Sequence, residues 1–240
     1  MPSIYLPGSE LLRVGDTATL EGDEFHHLAR VAHRRLQDPL LLNSGRGTLS
    51  EAQLLEVAKH SARLEITAVS SFPQPQPSFA IAFALLRNRH DELIVEKCTE
   101  LGAAAFFPLV TEHSVRQASD NTLQRFHKTA LAAVKQCDNP WLPEVLQPQG
   151  PQQALDAIRD RGYTPILCSE RRPDIWLHHL SPVKTGNPCF LIGAEGGWSE
   201  AEFALFEGLE EITLGDLVTR AETAAISVAA QWLAYLKQKY

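Results

Sequence analysis

The 240-residue sequence has no apolar run near the ~18 residues that a membrane span requires. Its start, MPSIYLPGSELLRVGD, carries no apolar h-region, so no secretory leader is expected. Cysteine is scarce. Cys98, Cys137, Cys168 and Cys189 form no CxxC pair and are too dispersed for a disulfide framework. A cytoplasmic, reducing location is therefore expected, with no zinc signature and no metal. Cations are in the minority: Lys+Arg 22 against Asp+Glu 29 gives a formal charge of −7. A general electrostatic grip on nucleic acid is not expected from that balance, although a local basic patch can provide one. Internal repeats are lacking too. What remains is ordinary: 44% apolar, 21% charged, 14 Gly and 15 Pro exclude collagen-like, low-complexity and largely disordered chains.

One break in composition stands out, Phe72-Pro73-Gln74-Pro75-Gln76-Pro77. Prolines at alternate positions remove ladder donors and favour an extended connector. It reads as a linker (72–77) between domains at 1–71 and 78–240, or else as a surface loop inside one domain. Before it, strands are expected at Thr17–Leu20, Leu40–Asn43, Gln53–Val57 and Arg63–Val69, with a turn at Gly45-Arg46-Gly47. One helix, about 24–36 with Asp23 as its N-cap, interrupts them. The sum is a small β-barrel with one helix. After the linker, buried-type strands at Phe79–Leu86, Ala104–Val110, Thr164–Cys168, Cys189–Ile192 and Glu211–Leu214 alternate with helices near 90–101, 121–137, 151–161, 199–207 and 222–237. That alternation predicts an α/β domain with a parallel sheet.

Helix 24–36 separates into two faces at 100° per residue. Phe25, Leu28, Ala29, Ala32 and Leu36 share one; His26, His27, Arg30, His33 and Arg34 share the other, extended by Arg35 and Arg46. Most charged helix faces are simply solvated. In a chain this acidic, however, a face without a carboxylate is a candidate RNA or DNA contact, since Arg forks phosphate and both Arg and His stack on bases.

The densest chemistry is Phe190-Leu191-Ile192-Gly193-Ala194-Glu195-Gly196-Gly197-Trp198-Ser199, an apolar strand running into a glycine turn. Ser199 and Glu202 have capping-box spacing. The spacing is neither GxGxxG nor GxxxxGK[ST], which removes the dinucleotide and P-loop readings. Glu195 within the turn opposes a phosphate and suits a neutral or cationic ligand; a structural βα turn that binds nothing is the alternative. Gly197-Trp198-Ser199-Glu200-Ala201 also imitates a hydrolase elbow, but Ser199 is better used as a cap than as a nucleophile at the strand end. Further on, Leu214-Gly215 ends a strand. Arg220 and Glu222 then flank the entrance of a long helix with a small apolar face: Ala225, Val228, Ala229, Trp232 and Leu236.

Together, Leu191–Gly197, Leu214-Gly215 and Arg220-Ala221-Glu222-Thr223-Ala224 resemble the RsmE family. So do Glu96–Gly102, Thr111 to Arg116, Gln136 with Pro143, His26–Val31 and Gly45-Arg46-Gly47. The resemblance implies S-adenosylmethionine-dependent methylation of uridine N3 in 16S ribosomal RNA, with that RNA or the assembled small subunit as partner. It also implies a homodimer, and a PUA-like barrel joined to a SPOUT α/β domain with a C-terminal trefoil knot. By carry-over, the cofactor pocket comprises Leu167, Ile192, Gly193, Gly197, Leu214, Gly215, Val218, Thr219 and Arg220. Arg220 would stabilise charge on the base, Glu222 would orient Arg220, and Glu195 would take the proton or face the sulfonium. RNA contact falls to His26, His27, Arg30, His33, Arg34, Arg46 and Arg116. The chain departs from the family at Ala194 (usually Pro), Leu217 (usually Arg), Ala221 (usually Thr), His33 (usually Arg) and near Asn139 (often Arg). A catalytically weak RNA-binding relative, or a methyltransferase with another RNA target, is the alternative.

Overall fold

The alternation of buried and exposed positions in the first part of the chain is realised as a sheet that covers one apolar core. The computed structural model describes residues 2–31, 39–114, 118–171, 174–180 and 186–239. They group into two units, Met1–Gln74 with Leu131–Leu142, and Pro75–Ala130 with Pro143–Tyr240.

In the first unit, strands β1 (Ile4–Tyr5), β2 (Thr17–Glu21), β3 (Pro39–Asn43), β4 (Thr48–Val57) and β5 (Ser61–Ser71) form a five-stranded sheet in the order β1-β3-β4-β5-β2. β1 runs parallel to β3 and the remaining pairs are antiparallel, so the sheet is mixed. Period-two alternation sends Ala52 and Leu54 of β4 and Ala62, Leu64 and Ile66 of β5 inward. There they meet Phe25 and Leu28 of helix α1 (Gly22–Val31). That helix begins ahead of its expected cap, so Asp23 and Glu24 sit in its first turn, where carboxylates favour the helix dipole. The expected continuation to residue 36 lies outside the described residues. β1 has only two residues, too few for any periodicity to show.

The second unit holds a six-stranded, wholly parallel sheet in the order β11-β9-β10-β6-β7-β8. Its strands are β6 (Ala80–Ala84), β7 (Ala105–Leu109), β8 (Glu144–Val145), β9 (Tyr163–Cys168), β10 (Asn187–Ile192) and β11 (Glu210–Ile212). Every residue of β6 and β7 is buried, as strands covered on both faces require. The helices are α2 (His90–Glu100), α3 (Asp120–Cys137, whose residues from Leu131 on belong to the first unit), α4 (Pro151–Asp160), α5 (Glu200–Leu205) and α6 (Ala221–Lys239). α4 starts on Gly150 with proline at its first position, and α5 on the Ser199–Glu202 capping box. Ala225, Val228, Ala229 and Trp232 of α6 are fully buried, and the Trp232 indole meets Phe190 of β10 edge-on. Small residues on that face let α6 lie close to α2, where the Cys98 thiol donates to the Ala225 carbonyl at 3.6 Å. Among the described residues, no helix is long and apolar enough to cross a membrane.

In the first unit, Gly47 adopts φ +87°, and a Cβ there would stand 2.8 Å from the Phe72 carbonyl oxygen and collide with the Trp141 ring. Gly47→Ala is therefore expected to destabilise the chain by about 3 kcal/mol, through strain and overpacking together. A thermal melt should read this as a fall of roughly 10 °C.

Candidate functional site

Ligands in parallel sheets gather beyond the carboxyl ends of the strands. Here β9, β10 and β11 end at Cys168, Ile192 and Ile212, and a cavity of 460 Å³ opens just past them. That is an ordinary size for a small-molecule pocket (~300–1,000 Å³). Its walls are three stretches of chain, Cys168–Arg171, the glycine turn Ile192–Trp198, and Thr213–Ala221 apart from Asp216, joined by Phe203 of α5 and Ala224 of α6.

Sequence-predicted residues meet there. Ile192, Gly193, Glu195, Gly197, Leu214, Gly215, Val218, Thr219 and Arg220 all line the cavity. Two do not. Leu167 is buried in the core beneath the sheet end, and Glu222 turns to α2, where its Oε1 stands 3.2 Å from His90 Nδ1. No described contact joins Glu222 to Arg220. In the first unit, Arg46 is largely exposed and lies 3.4 Å from Glu10, while His26 is exposed beside the Phe25 ring. The side chains of His27 and Arg30, and all of His33, Arg34 and Arg116, lie outside the described residues.

The glycine turn is built by close packing. A Cβ on Gly193 would lie 3.1 Å from Trp198 Nε1, so the missing side chain lets the indole press against main chain. Trp198 in turn meets Phe206 edge-on, with ring centroids 4.8 Å apart. Gly197 takes φ +70°, left-handed backbone that glycine adopts without strain. Behind the turn, His113 Nδ1 lies 3.0 Å from the Gly196 carbonyl and 3.2 Å from that of Gly197. Both partners are acceptors, so this nitrogen must carry the proton. The buried Glu202 carboxylate accepts from Ser199 N–H at 2.8 Å and from Glu112 N–H at 2.9 Å, tying the 111–114 turn to the start of α5. Ser199 Oγ accepts from Glu202 N–H in return. Its hydroxyl therefore caps a helix and does not stand directly at the end of β10, which ends at Ile192.

The far wall is fixed by side chains that periodicity did not single out. Gln231 Nε2 donates to the Leu214 carbonyl at 3.1 Å, and Thr213 Oγ1 to that of Gly215 at 3.1 Å. Arg171 stacks over the Phe203 ring at 3.5 Å and pairs with Glu200 at 3.0 Å. Gly215 is different from Gly193: its φ is not left-handed, and a Cβ there would meet no protein atom within 4 Å. Neither backbone nor packing demands glycine, so the space it leaves belongs to the cavity. Of the ionisable lining groups, Glu195 accepts from Arg87 N–H at 3.2 Å and Arg171 is paired, whereas exposed Arg220 has no described carboxylate partner.

The RNA methyltransferase domain family matches residues 73–233. A ribosomal RNA small subunit methyltransferase E from Synechocystis is 32% identical over 92% of this chain and 74% of its own length. The chain belongs to this family. Among solved structures, a ribosomal RNA small subunit methyltransferase E from Neisseria gonorrhoeae bound to S-adenosyl methionine superposes with a TM-score of 0.87, at 28% identity, covering 98% of this chain and 97% of that one. A methyltransferase from Legionella pneumophila in complex with the same cofactor gives 0.84 at 25% identity, covering 97% and 96%.

Burial pushes the Cys98 thiol up to about 12 and raises those of Cys168 and Cys189 above the usual thiol range. Thiolate is the reactive form, so these three stay inert at neutral pH. In native protein at pH 8, an alkylating reagent should modify exposed Cys137 quickly and the others only after unfolding. Raising the pH from 7 to 9 should leave the three slow rates low, and rapid labelling of Cys168 in the cavity wall would contradict this.

Proposed function

We propose that this chain transfers a methyl group from S-adenosylmethionine to N3 of a uridine in 16S ribosomal RNA of the small subunit. The observation that carries the reading is Gly215: a glycine that neither conformation nor packing requires, in a cavity whose opposite wall is the Gly193–Gly197 turn. The residues suit that cofactor. Main-chain walls at Ile192, Gly193, Gly197, Leu214, Gly215, Val218 and Thr219 offer amides and carbonyls to an adenine edge. Glu170 and Glu195 supply negative charge for a sulfonium. When bound, S-adenosylmethionine supplies an electrophilic methyl group.

Uridine N3 must lose its proton as its bond to carbon forms, and the Glu195 carboxylate on the cavity wall is the acceptor for it. Arg220, exposed at the cavity and without a described carboxylate partner, is the donor that stabilises charge developing on the base carbonyls. Glu195 also holds the Arg87 turn against the glycine loop through its Oε1, whereas Glu222 anchors the entrance of α6 to His90 and acts through position. The first unit is a PUA-like barrel that holds RNA through the α1 face and Arg46. The second is a SPOUT domain whose C-terminal segment forms a trefoil knot, with the cofactor held in the knot's cleft. Leu217 and Val218, each 82% exposed, fit a homodimer in which a second copy covers them. The enzyme works in the cytoplasm.

The test is methyl transfer to small-subunit particles that lack the modification, followed by mass spectrometry of the RNA. One methyl on a uridine N3 is expected, and no transfer would overturn the reading. Arg220→Ala is expected to lower kcat at least 100-fold with S-adenosylmethionine affinity within twofold, the scale of losing a preorganised donor. Gly215→Val is expected to do the reverse: an unchanged melting temperature and at least tenfold weaker cofactor binding by calorimetry.

A further inference from the structure

Between β6 and α2 the chain makes the turn Arg87-Asn88-Arg89, which sequence patterning did not single out. Asn88 has φ 52° and Arg89 φ 61°, both left-handed. Only one other non-glycine residue among those described, Asp138, does the same. Glycine would take this backbone freely, so two consecutive residues keep side chains where conformation opposes them; such strain collects at functional sites. All three side chains of the turn are exposed. Arg87 has no carboxylate within ion-pair distance among the described residues. Arg89 is 71% exposed and reaches only Glu92 Oε1, at 3.8 Å, an oxygen it shares with Arg125 at 3.6 Å. The turn is fastened to the cavity wall by the bond from Arg87 N–H to Glu195.

We propose that the Arg87–Arg89 turn is an RNA contact that grips the phosphate backbone beside the target base. This rests on the methyltransferase reading above. A chain of formal charge −7 repels RNA as a whole, so the strand next to the reacting base must be held by local cations in the unit that carries the cavity. Arg87 and Arg89 are such cations, their guanidinia forking phosphate oxygens while the Asn88 amide donates alongside. Arg220 then meets the base, and the turn meets the backbone on which that base hangs.

The experiment compares the unaltered chain with Arg87→Gln/Arg89→Gly and Arg87→Lys/Arg89→Lys. Affinity for small-subunit ribosomal RNA is measured across a salt series, with S-adenosylmethionine affinity and melting temperature beside it. In the Gln/Gly variant RNA affinity should fall at least tenfold and the salt slope by about 1.4, the share of two phosphates on a single strand. Cofactor affinity should stay within twofold, and the melting temperature should hold or rise because Arg89→Gly relieves the backbone. The Lys/Lys variant should recover most of the RNA affinity. RNA affinity and salt slope that match the unaltered chain overturn the inference alone. So does loss of cofactor affinity in step with RNA affinity, which assigns the turn to cavity architecture. If the unaltered chain binds no RNA, the methyltransferase reading falls and the inference with it.

Discussion

The cavity depends on how near the Trp198 indole comes to the main chain of Gly193. A Cβ at Gly193 would crowd that indole at 3.1 Å, and both residues line the hollow past the end of β10. Phe206 backs the indole, and His113 and Glu202 hold the turn from behind, so the loop is braced on the side away from the cavity. Rigid loops on a parallel sheet are where such folds place their chemistry, because the strand ends fix the starting points of each loop to within a hydrogen bond.

The second wall is held in a different way. Thr213 and Gln231 secure carbonyls of the Leu214-Gly215 segment, while Leu217 to Arg220 beyond it are exposed. A braced turn on one side thus faces a more exposed segment on the other. The acidic total of the chain bears on the same division of labour. A pocket lined by main chain needs no net charge, whereas the RNA side needs cations placed individually, and the exposed arginines around the cavity are few.

Much of this was legible in the sequence. The apolar runs 79–86 and 104–110 read directly as buried strands of a parallel sheet, and β6 and β7 occupy their middles with no exposed residue. Ser199 and Glu202 announced their cap by spacing alone, because a capping box is a local device. The glycine turn and Leu214–Arg220 were singled out as separate pieces, and the structure brings them to one cavity. What periodicity could not carry was long-range pairing. His113 reaches a loop more than eighty residues away, Gln231 reaches back seventeen, and nothing local marks either as a support. The strands β1 and β8 were too short to show alternation. Leu167 and Glu222 are the instructive cases: both lie close in sequence to lining residues, yet the alternation of the strand buries one in the core and the turn of the helix sends the other to His90.

Whether the hollow between Gly193 and Gly215 holds a cofactor is decided by titrating S-adenosylmethionine into the purified chain by calorimetry. Saturable binding is expected, with a change in the fluorescence of Trp198, since that indole lines the cavity. Absence of heat and of any fluorescence change at millimolar cofactor would contradict it.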